Sequence, residues 1–363
     1  NNDGLLDVVL TANMAPNRLY INKGDLKFED ITARAGINSK TADWCTGVTV
    51  IDINKDGFQD IFISRAGWFK DTEKSKLTNL LFINNGDLTF TESAEKYGFT
   101  DQSRSTQACF FDKDNDGDLD AFISNRTSTE QNQRNYLYRN DEGTFVDITQ
   151  SSGIPIEDEE GNENSQLSFC TMFFDYNKDG FQDIYLANDK TDNINRLYKN
   201  LGNGTFEDVS VASGSGIAVN AMTTTLGDYN NDGWFDIYIT NTQSSQAGNG
   251  NVLLKNNGDG TFTNVAEETG TTFNSLAWGA VFLDADNDTL LDLYVSGGFD
   301  GSIGSFLSAA FYHQQNDGIF VIPQNIGFEN DTRKSFSNAI GDINNDGKPD
   351  IIVCNDTENN FDR

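Results

Sequence analysis

Positive charge is scarce in this 363-residue chain: 25 Lys and Arg stand against 56 Asp and Glu, and with the one histidine neutral the formal charge is −31. A nucleic-acid-binding surface is thereby excluded, because a phosphate backbone is held by clustered cations that displace its counterions. Long apolar runs are also missing, none approaching the roughly 18 residues of a membrane-spanning helix. The opening NNDGLLDVVL has no basic stretch ahead of a greasy one, so any export signal lies outside this sequence. Cysteine occurs four times, too rarely for a disulfide framework at this length. Cys45, Cys109 and Cys170 fall inside apolar runs and read as small buried hydrophobes. The one histidine, His313 in AFYHQQND, reads as a structural side chain. Ser-His-Asp sets, HExxH and phosphate loops are all missing, so no enzyme is indicated. Acidic pairs of the glycosidase kind are too common here to dismiss, but the repeat described next accounts for nearly all of the conspicuous aspartates.

What the chain has in abundance is turn chemistry and aromatics. Hydrophobic residues make up 37% and aromatics 12%, with 33 Gly and 27 Phe. That is enough to fill a core, and the recurring Asn-Gly and Asp-Gly pairs point to one large all-β domain. A nine-residue pattern, D-x-[DN]-x-D-G-x-x-D, repeats from end to end. It reads DINKDGFQD from Asp52, DKDNDGDLD from Asp112, DYNKDGFQD from Asp175, DYNNDGWFD from Asp228, DADNDTLLD from Asp284 and DINNDGKPD from Asp342. The chain also opens inside a copy, NNDGLLD.

Each copy lies between two strand signals, such as CTGVTVI before and DIFIS after, whose β-branched and aromatic residues favour extended backbone. A second element follows, exemplified by NRLYKNLGNGTFEDVS, which reads as a hairpin turned by Asn, Asp and Gly. The unit is therefore four antiparallel strands, A to D, with the motif between A and B. Such units must stack on neighbours to bury both faces, radially in a propeller. Strand A, apolar or small on both parities, reads as the innermost strand covered on both sides. The chain starts with B, C and D of one unit, holds five complete units and ends with A and B of another, 25 strands in all. Two incomplete units that each own a B strand cannot merge, so a seven-bladed β-propeller is expected. Its first and last blades are incomplete, and flanking sequence or another subunit is expected to complete the edge.

The motif, the following N-x-L-[YF]-x-N-x-G-x-G-x-F and the tails DITARAGI and DITQSSGI resemble the FG-GAP or VCBS repeat family. They are similar in particular to bacterial and cartilage-acidic-protein-like proteins that carry these repeats. The resemblance covers essentially the whole chain. It implies an integrin-α-like propeller with calcium in the A–B loops, on secreted or cell-surface proteins, and implies no reaction.

The residues themselves point to calcium. Hard cations take roughly six to eight oxygens, and a short loop supplies them from alternate residues. Side chains at positions one, three and five converge: Asp52, Asn54 and Asp56; Asp112, Asp114 and Asp116; Asp175, Asn177 and Asp179; Asp228, Asn230 and Asp232; Asp284, Asp286 and Asp288; Asp342, Asn344 and Asp346. The opening copy offers Asn1 and Asp3 and lacks position one. Glycine at position six permits the sharp turn, and the carbonyl of position seven (Phe58, Asp118, Phe181, Trp234, Leu290 or Lys348) is expected to face the ion. The ninth residue closes the set: Asp7, Asp60, Asp120, Asp183, Asp236, Asp292 or Asp350. Zinc and copper would want His or Cys, which no copy contains. A bare Asp/Asn turn does not explain an aspartate at position nine in every copy, so up to seven Ca²⁺ ions are expected, coupled to folding. The copies at Asp112 and Asp284 each place four carboxylates at ligand positions, and those with Asn54, Asn177, Asn230 and Asn344 place three. The copy at Asp284 carries Thr289 where Gly belongs, a position that needs φ above zero if the turn is kept. Weak sites suffice where calcium is millimolar, which favours an exported protein.

Partner surfaces are expected in the B–C connections, which vary most: Arg65 to Thr78, Asn125 to Arg134, Asn241 to Gly250 and Ser296 to Ser308. The first is the leading candidate because Trp68 and Phe69 stand beside Arg65 and Lys70, a set suited to stacking on a sugar or a protein. The bland alternative folds these aromatics back onto the blade. The D–A loop from Ile156 to Gln166 is acidic and reads as solvated. Three functions remain: a rigid adhesion or assembly scaffold for a protein partner at the cell surface, a lectin-like glycan-binding propeller, and a polysaccharide hydrolase or lyase braced by calcium. The first is preferred, because the sequence repeats rigidity and shows no odd constellation.

Overall fold

A computed structural model describes the whole chain except residues 14, 38–42, 68–72, 127–133, 157–166, 243–249, 274, 299–308, 328–333 and 356–363. Apart from short helical turns, every regular element is a strand, and every sheet is an antiparallel meander.

Blade one has strands B, C and D only: Val8–Leu10, Arg18–Asn22 and Phe28–Asp30. Five four-stranded blades follow. Blade two is Cys45–Ile51, Asp60–Arg65, Leu80–Asn84 and Phe90–Glu92; blade three is Ser105–Phe111, Asp120–Asn125, Tyr136–Asp141 and Thr144–Asp147. Blade four is Ser168–Phe174, Asp183–Asn188, Arg196–Asn200 and Phe206–Asp208; blade five is Ala221–Gly227, Asp236–Asn241, Val252–Asn256 and Phe262–Asn264. Blade six is Leu276–Leu283, Asp292–Gly298, Ala309–Gln314 and Phe320–Val321. Last comes a two-stranded ribbon, Ser335–Gly341 with Asp350–Asn355.

The strands fall where the repeat puts them, but six blades are present, not the seven that the repeat count predicts. The seventh unit is only a ribbon, because strands that would pair with Asp350–Asn355 are not among the described residues. The energetic trace is visible: strand B is wholly buried in blades two to six, whereas the ribbon's strand B is half-buried. The ribbon sits between blade six and blade one. Asn338 Nδ2 donates to Ser296 Oγ of blade six at 3.0 Å, and Asn22 Nδ2 of blade one donates to the Ile343 carbonyl at 2.8 Å.

A second expectation needs correcting. The strand covered on both sides is B, not A, since A lines the axis and is only partly buried. Every strand A also carries a register shift near its start, for example between Ser105 and Gln107, which bends the inner strand. The cores lie between blades. Phe62, Leu81 and Phe99 of the blade-two unit pack with Ile123, Tyr138 and Phe145 of blade three, and the same arrangement recurs at four other junctions. Fully burying side chains of this size contributes about 2 kcal/mol each, which is why blades hold one another rather than standing alone.

Candidate metal centres

All seven motif loops lie on the face that also carries the C–D turns, and they touch in a ring. Position four of each loop, always at positive φ, reaches the next loop. Asn2 Nδ2 donates to the Gly57 carbonyl (2.9 Å), Asn115 Nδ2 to Gly180 (2.9 Å), Asn231 Nδ2 to Thr289 (3.2 Å), Asn287 Nδ2 to Gly347 (3.3 Å) and Asn345 Nδ2 to Gly4 (3.3 Å). Lys55 pairs with Asp118, and the Lys178 ammonium lies 3.9 Å from the Trp234 ring centroid.

Within a loop, the carboxylate of position one accepts two N–H groups, Asp232 N–H at 3.0 Å and Gly233 N–H at 2.7 Å in the case of Asp228. Position five accepts from position seven, as Asp232 does from Trp234 N–H at 2.9 Å. Where position three is asparagine, its Oδ1 accepts the N–H of position five, at 3.1 Å for Asn54 and 3.0 Å for Asn177. The opening copy does the same with Asn1 and Asp3, at 3.1 Å. Candidate oxygens are thus gathered in every described copy, and in two of them three carboxylates each place an oxygen within 4.8 Å of the others: Asp112, Asp114 and Asp116, and Asp284, Asp286 and Asp288. Oxygen-only donors with repeated carboxylates fit a hard divalent cation such as calcium and fit zinc or copper poorly.

Backbone conformation explains the glycines at two places. Position six has φ between 83 and 91° in six copies and 75° at Thr289, so the degenerate copy keeps the turn at the strain cost of a Cβ. Thr289→Gly is expected to stabilise the protein by about 1 kcal/mol, from the penalty of a left-handed non-glycine residue; a denaturant midpoint that falls would reject this. The C–D turns use glycine for contact, since a Cβ on Gly258 would lie 2.8 Å from the Trp234 indole nitrogen. The position-seven aromatics Phe58, Phe181 and Trp234 are therefore packing residues.

Sequence reasoning missed what position nine does. Asp236 is fully buried, and its Oδ2 accepts Tyr229 N–H at 3.2 Å while Oδ1 accepts Asn256 N–H at 2.8 Å. The equivalent pairs recur at Asp60, Asp120, Asp183 and Asp292. An aspartate at every ninth position is explained by these strand-joining bonds without a cation. The partner, Asn256, also donates through Nδ2 to the Tyr176 carbonyl of the preceding blade at 2.9 Å. Asn200 and Gln314 make the same bridge, to Lys113 and Tyr229. The signal was present, because RLYIN, LLFIN, RLYKN and VLLKN end on the same residue.

Burial pushes the Asp183 and Asp236 carboxyls up to about 7, against the opposing pull of their N–H donors. Asp60, Asp120 and Asp292 move upward for the same reason. Raised carboxyl values mean that the folded state holds protons the unfolded chain releases. Their stabilising contribution is complete below the ordinary carboxylate range and is lost as pH rises through about 7. In chelator, the melting midpoint is accordingly expected to fall from pH 5 to pH 8; a midpoint that climbs steadily over that interval would contradict the assignment.

The other sequence candidates fare differently. Arg65 is 7% exposed, with Nε donating to the Lys76 carbonyl at 2.7 Å and Nη2 lying 4.0 Å from Asp43. It buttresses its own loop and is not a partner-facing residue, because its guanidinium is already committed. Trp68, Phe69 and Lys70 lie outside the described residues, as do most of Asn125–Arg134, Asn241–Gly250, Ser296–Ser308 and Ile156–Gln166. His313 Nδ1 sits 3.0 Å from Asp292 Oδ1, the ninth residue of the degenerate loop.

On the opposite face, where the B–C connections emerge, strand A residues meet across the axis. Trp278 of blade six packs edge-on against Phe169 of blade four at 5.8 Å and against Phe336 of the ribbon at 4.9 Å. The Arg126 guanidinium lies 5.7 Å from the Phe169 ring and pairs with Asp189.

Comparison with known proteins adds the family. No curated protein matches the chain. Among solved structures, it is similar to rhamnogalacturonan lyase YesW at 12% identity, with 96% of this chain and 58% of that one covered and a TM-score of 0.46. It is similar to the V. cholerae biofilm matrix protein Bap1 at 14% identity, covering 82% of this chain and 42% of that one, with a TM-score of 0.42. It is also similar to the Trypanosoma rangeli sialidase in complex with the inhibitor DANA, at 10% identity, 98% and 58% coverage and a TM-score of 0.42. The chain thus spans about half the length of these structures. The FG-GAP-like repeat model matches residues 1–63, 175–239, 241–295 and 301–353, more than half of the sequence. With the motif loops, the hairpins and the stacked blades all in place, the chain belongs to the FG-GAP-like repeat family.

Proposed function

We propose that this propeller is a calcium-braced scaffold that presents its B–C loop face to a protein partner outside the cell. The observation that carries the reading is the ring of oxygen-rich loops on one face, each in contact with the next through a hydrogen bond, an ion pair or a cation–ring contact. Cations held there would tie neighbouring blades together and leave the opposite face rigid and free. Asp, Asn and the position-seven carbonyls are the residues that would hold the ions, and the ions would supply the charge that offsets crowded carboxylates in a chain of charge −31. Calcium outside cells reaches the concentrations at which weak loops of this kind fill, which supports an exported or surface location. The test is capture of surface-extract proteins on the immobilised chain in calcium and in chelator. Specific capture that survives chelation unchanged would remove the link between the ions and the recognition face.

A second reading, glycan binding, is favoured by the Phe169, Trp278 and Phe336 cluster at the axis, since aromatic faces beside a guanidinium suit stacking on a sugar. Glycan-array binding that disappears in Trp278→Ala, with calcium stoichiometry unaltered, would move this reading ahead of the first.

A further inference from the structure

The loop of blade three has the most aspartates, yet it already contains a cation. Position two is apolar in the other five complete copies: Ile53, Tyr176, Tyr229, Ala285 and Ile343. In blade three it is Lys113, 3% exposed. Its ammonium lies 2.7 Å from Asp114 Oδ2, at position three, and 3.2 Å from Asp120 Oδ2, at position nine. Its backbone keeps the job common to position two, since Lys113 N–H donates to Asp120 Oδ2 at 3.2 Å and its carbonyl accepts from Asn200 at 2.7 Å. The ammonium is held by two carboxylates while the backbone of the same residue helps join blades three and four. A second ammonium, Lys55 from the neighbouring loop, pairs with Asp118. Among the described residues, no other loop has a cation placed on two of its own ligand-position carboxylates.

A buried ammonium is tolerated only when its charge is matched, and here Asp114 and Asp120 match it. A divalent ion bound to the same carboxylates would lie beside that ammonium and be repelled by it, and the ammonium itself is buried. We propose that Lys113 is a built-in replacement for the metal in blade three, so that the loop richest in carboxylates is the weakest calcium site of the ring. This rests on the calcium reading of the other loops. It inverts the order that carboxylate counting predicts, and it makes blade three the part of the ring that keeps its shape when calcium is withdrawn.

The experiment is calcium stoichiometry by native mass spectrometry and equilibrium dialysis on the intact chain and on Lys113→Ile, which installs the residue that Ile53 and Ile343 supply elsewhere. The variant is expected to bind one more calcium per chain, or to tighten its weakest site by at least tenfold. Equal numbers and affinities in the two proteins, with calcium present in both, would overturn the inference and leave the calcium reading standing. No calcium on either would overturn both. Should Lys113→Ile fold poorly, two exposed-loop variants decide the matter: Asp116→Asn is expected to remove no ion or only the most weakly held one, whereas the equivalent Asp179→Asn removes a tightly held one. Loss of a tightly held ion in Asp116→Asn would equally sink the proposal.

Discussion

Chelating divalent cations at neutral pH is expected to lower the unfolding midpoint by about 10 °C. A site filled at ten times its dissociation constant contributes about 1.4 kcal/mol when only the native state binds. The five complete loops without an internal ammonium would together contribute about 7 kcal/mol on that basis. Spread over the unfolding entropy of a domain this long, that is a shift of about 10 °C. The measurement is scanning calorimetry in chelator and in millimolar calcium, with magnesium as the control for screening alone. Midpoints that agree within a degree in calcium and chelator would defeat the calcium reading, whatever the acidity of the loops.

Asp236→Ala is expected to cost about 4 kcal/mol even in chelator. The substitution strips the acceptors from Tyr229 N–H and Asn256 N–H, both buried, and an unsatisfied buried donor costs about 1–3 kcal/mol. Loss of the Asn256 position also weakens its bond to the Tyr176 carbonyl of blade four. A larger loss in calcium than in chelator would give Asp236 a second role as a ligand; an equal loss would make it purely a joint between strands. Urea unfolding of both proteins in both buffers separates the cases. If Asp236→Ala in chelator stays within about 1 kcal/mol of the parent, well inside the range for an unmade buried bond, the joint is not what the hydrogen bonds indicate.

These two experiments bear on the same residue type from opposite sides. At Asp60, Asp120, Asp183, Asp236 and Asp292, burial and a pair of backbone donors compete over the same carboxyl. A repeat that retains this aspartate is retaining a joint between strand B, strand C and the preceding turn, and an ion, where bound, would be an addition to that joint. The degenerate loop shows the same economy: Thr289 accepts a φ of 75°, yet its N–H still reaches Asp284 Oδ2 at 2.9 Å.

By itself the sequence determined the repeat, the strands and the candidate ligands. Those follow from local chemistry: β-branched and aromatic runs extend, Asn-Gly and Asp-Gly turn, and oxygens at alternate positions of a nine-residue bend converge. Only the tertiary structure decided which strand is buried on both sides, that the last unit is a ribbon beside six blades, that Arg65 faces inward, and that the Lys113 ammonium sits among the blade-three carboxylates. The first two depend on groups far apart in the chain, as Asn256 and Tyr176 are at a separation of 80 residues. The last two depend on how folding buries loop residues that are near one another in sequence. Local periodicity sets which face a side chain takes, but the neighbour it meets is chosen by how the blades stack.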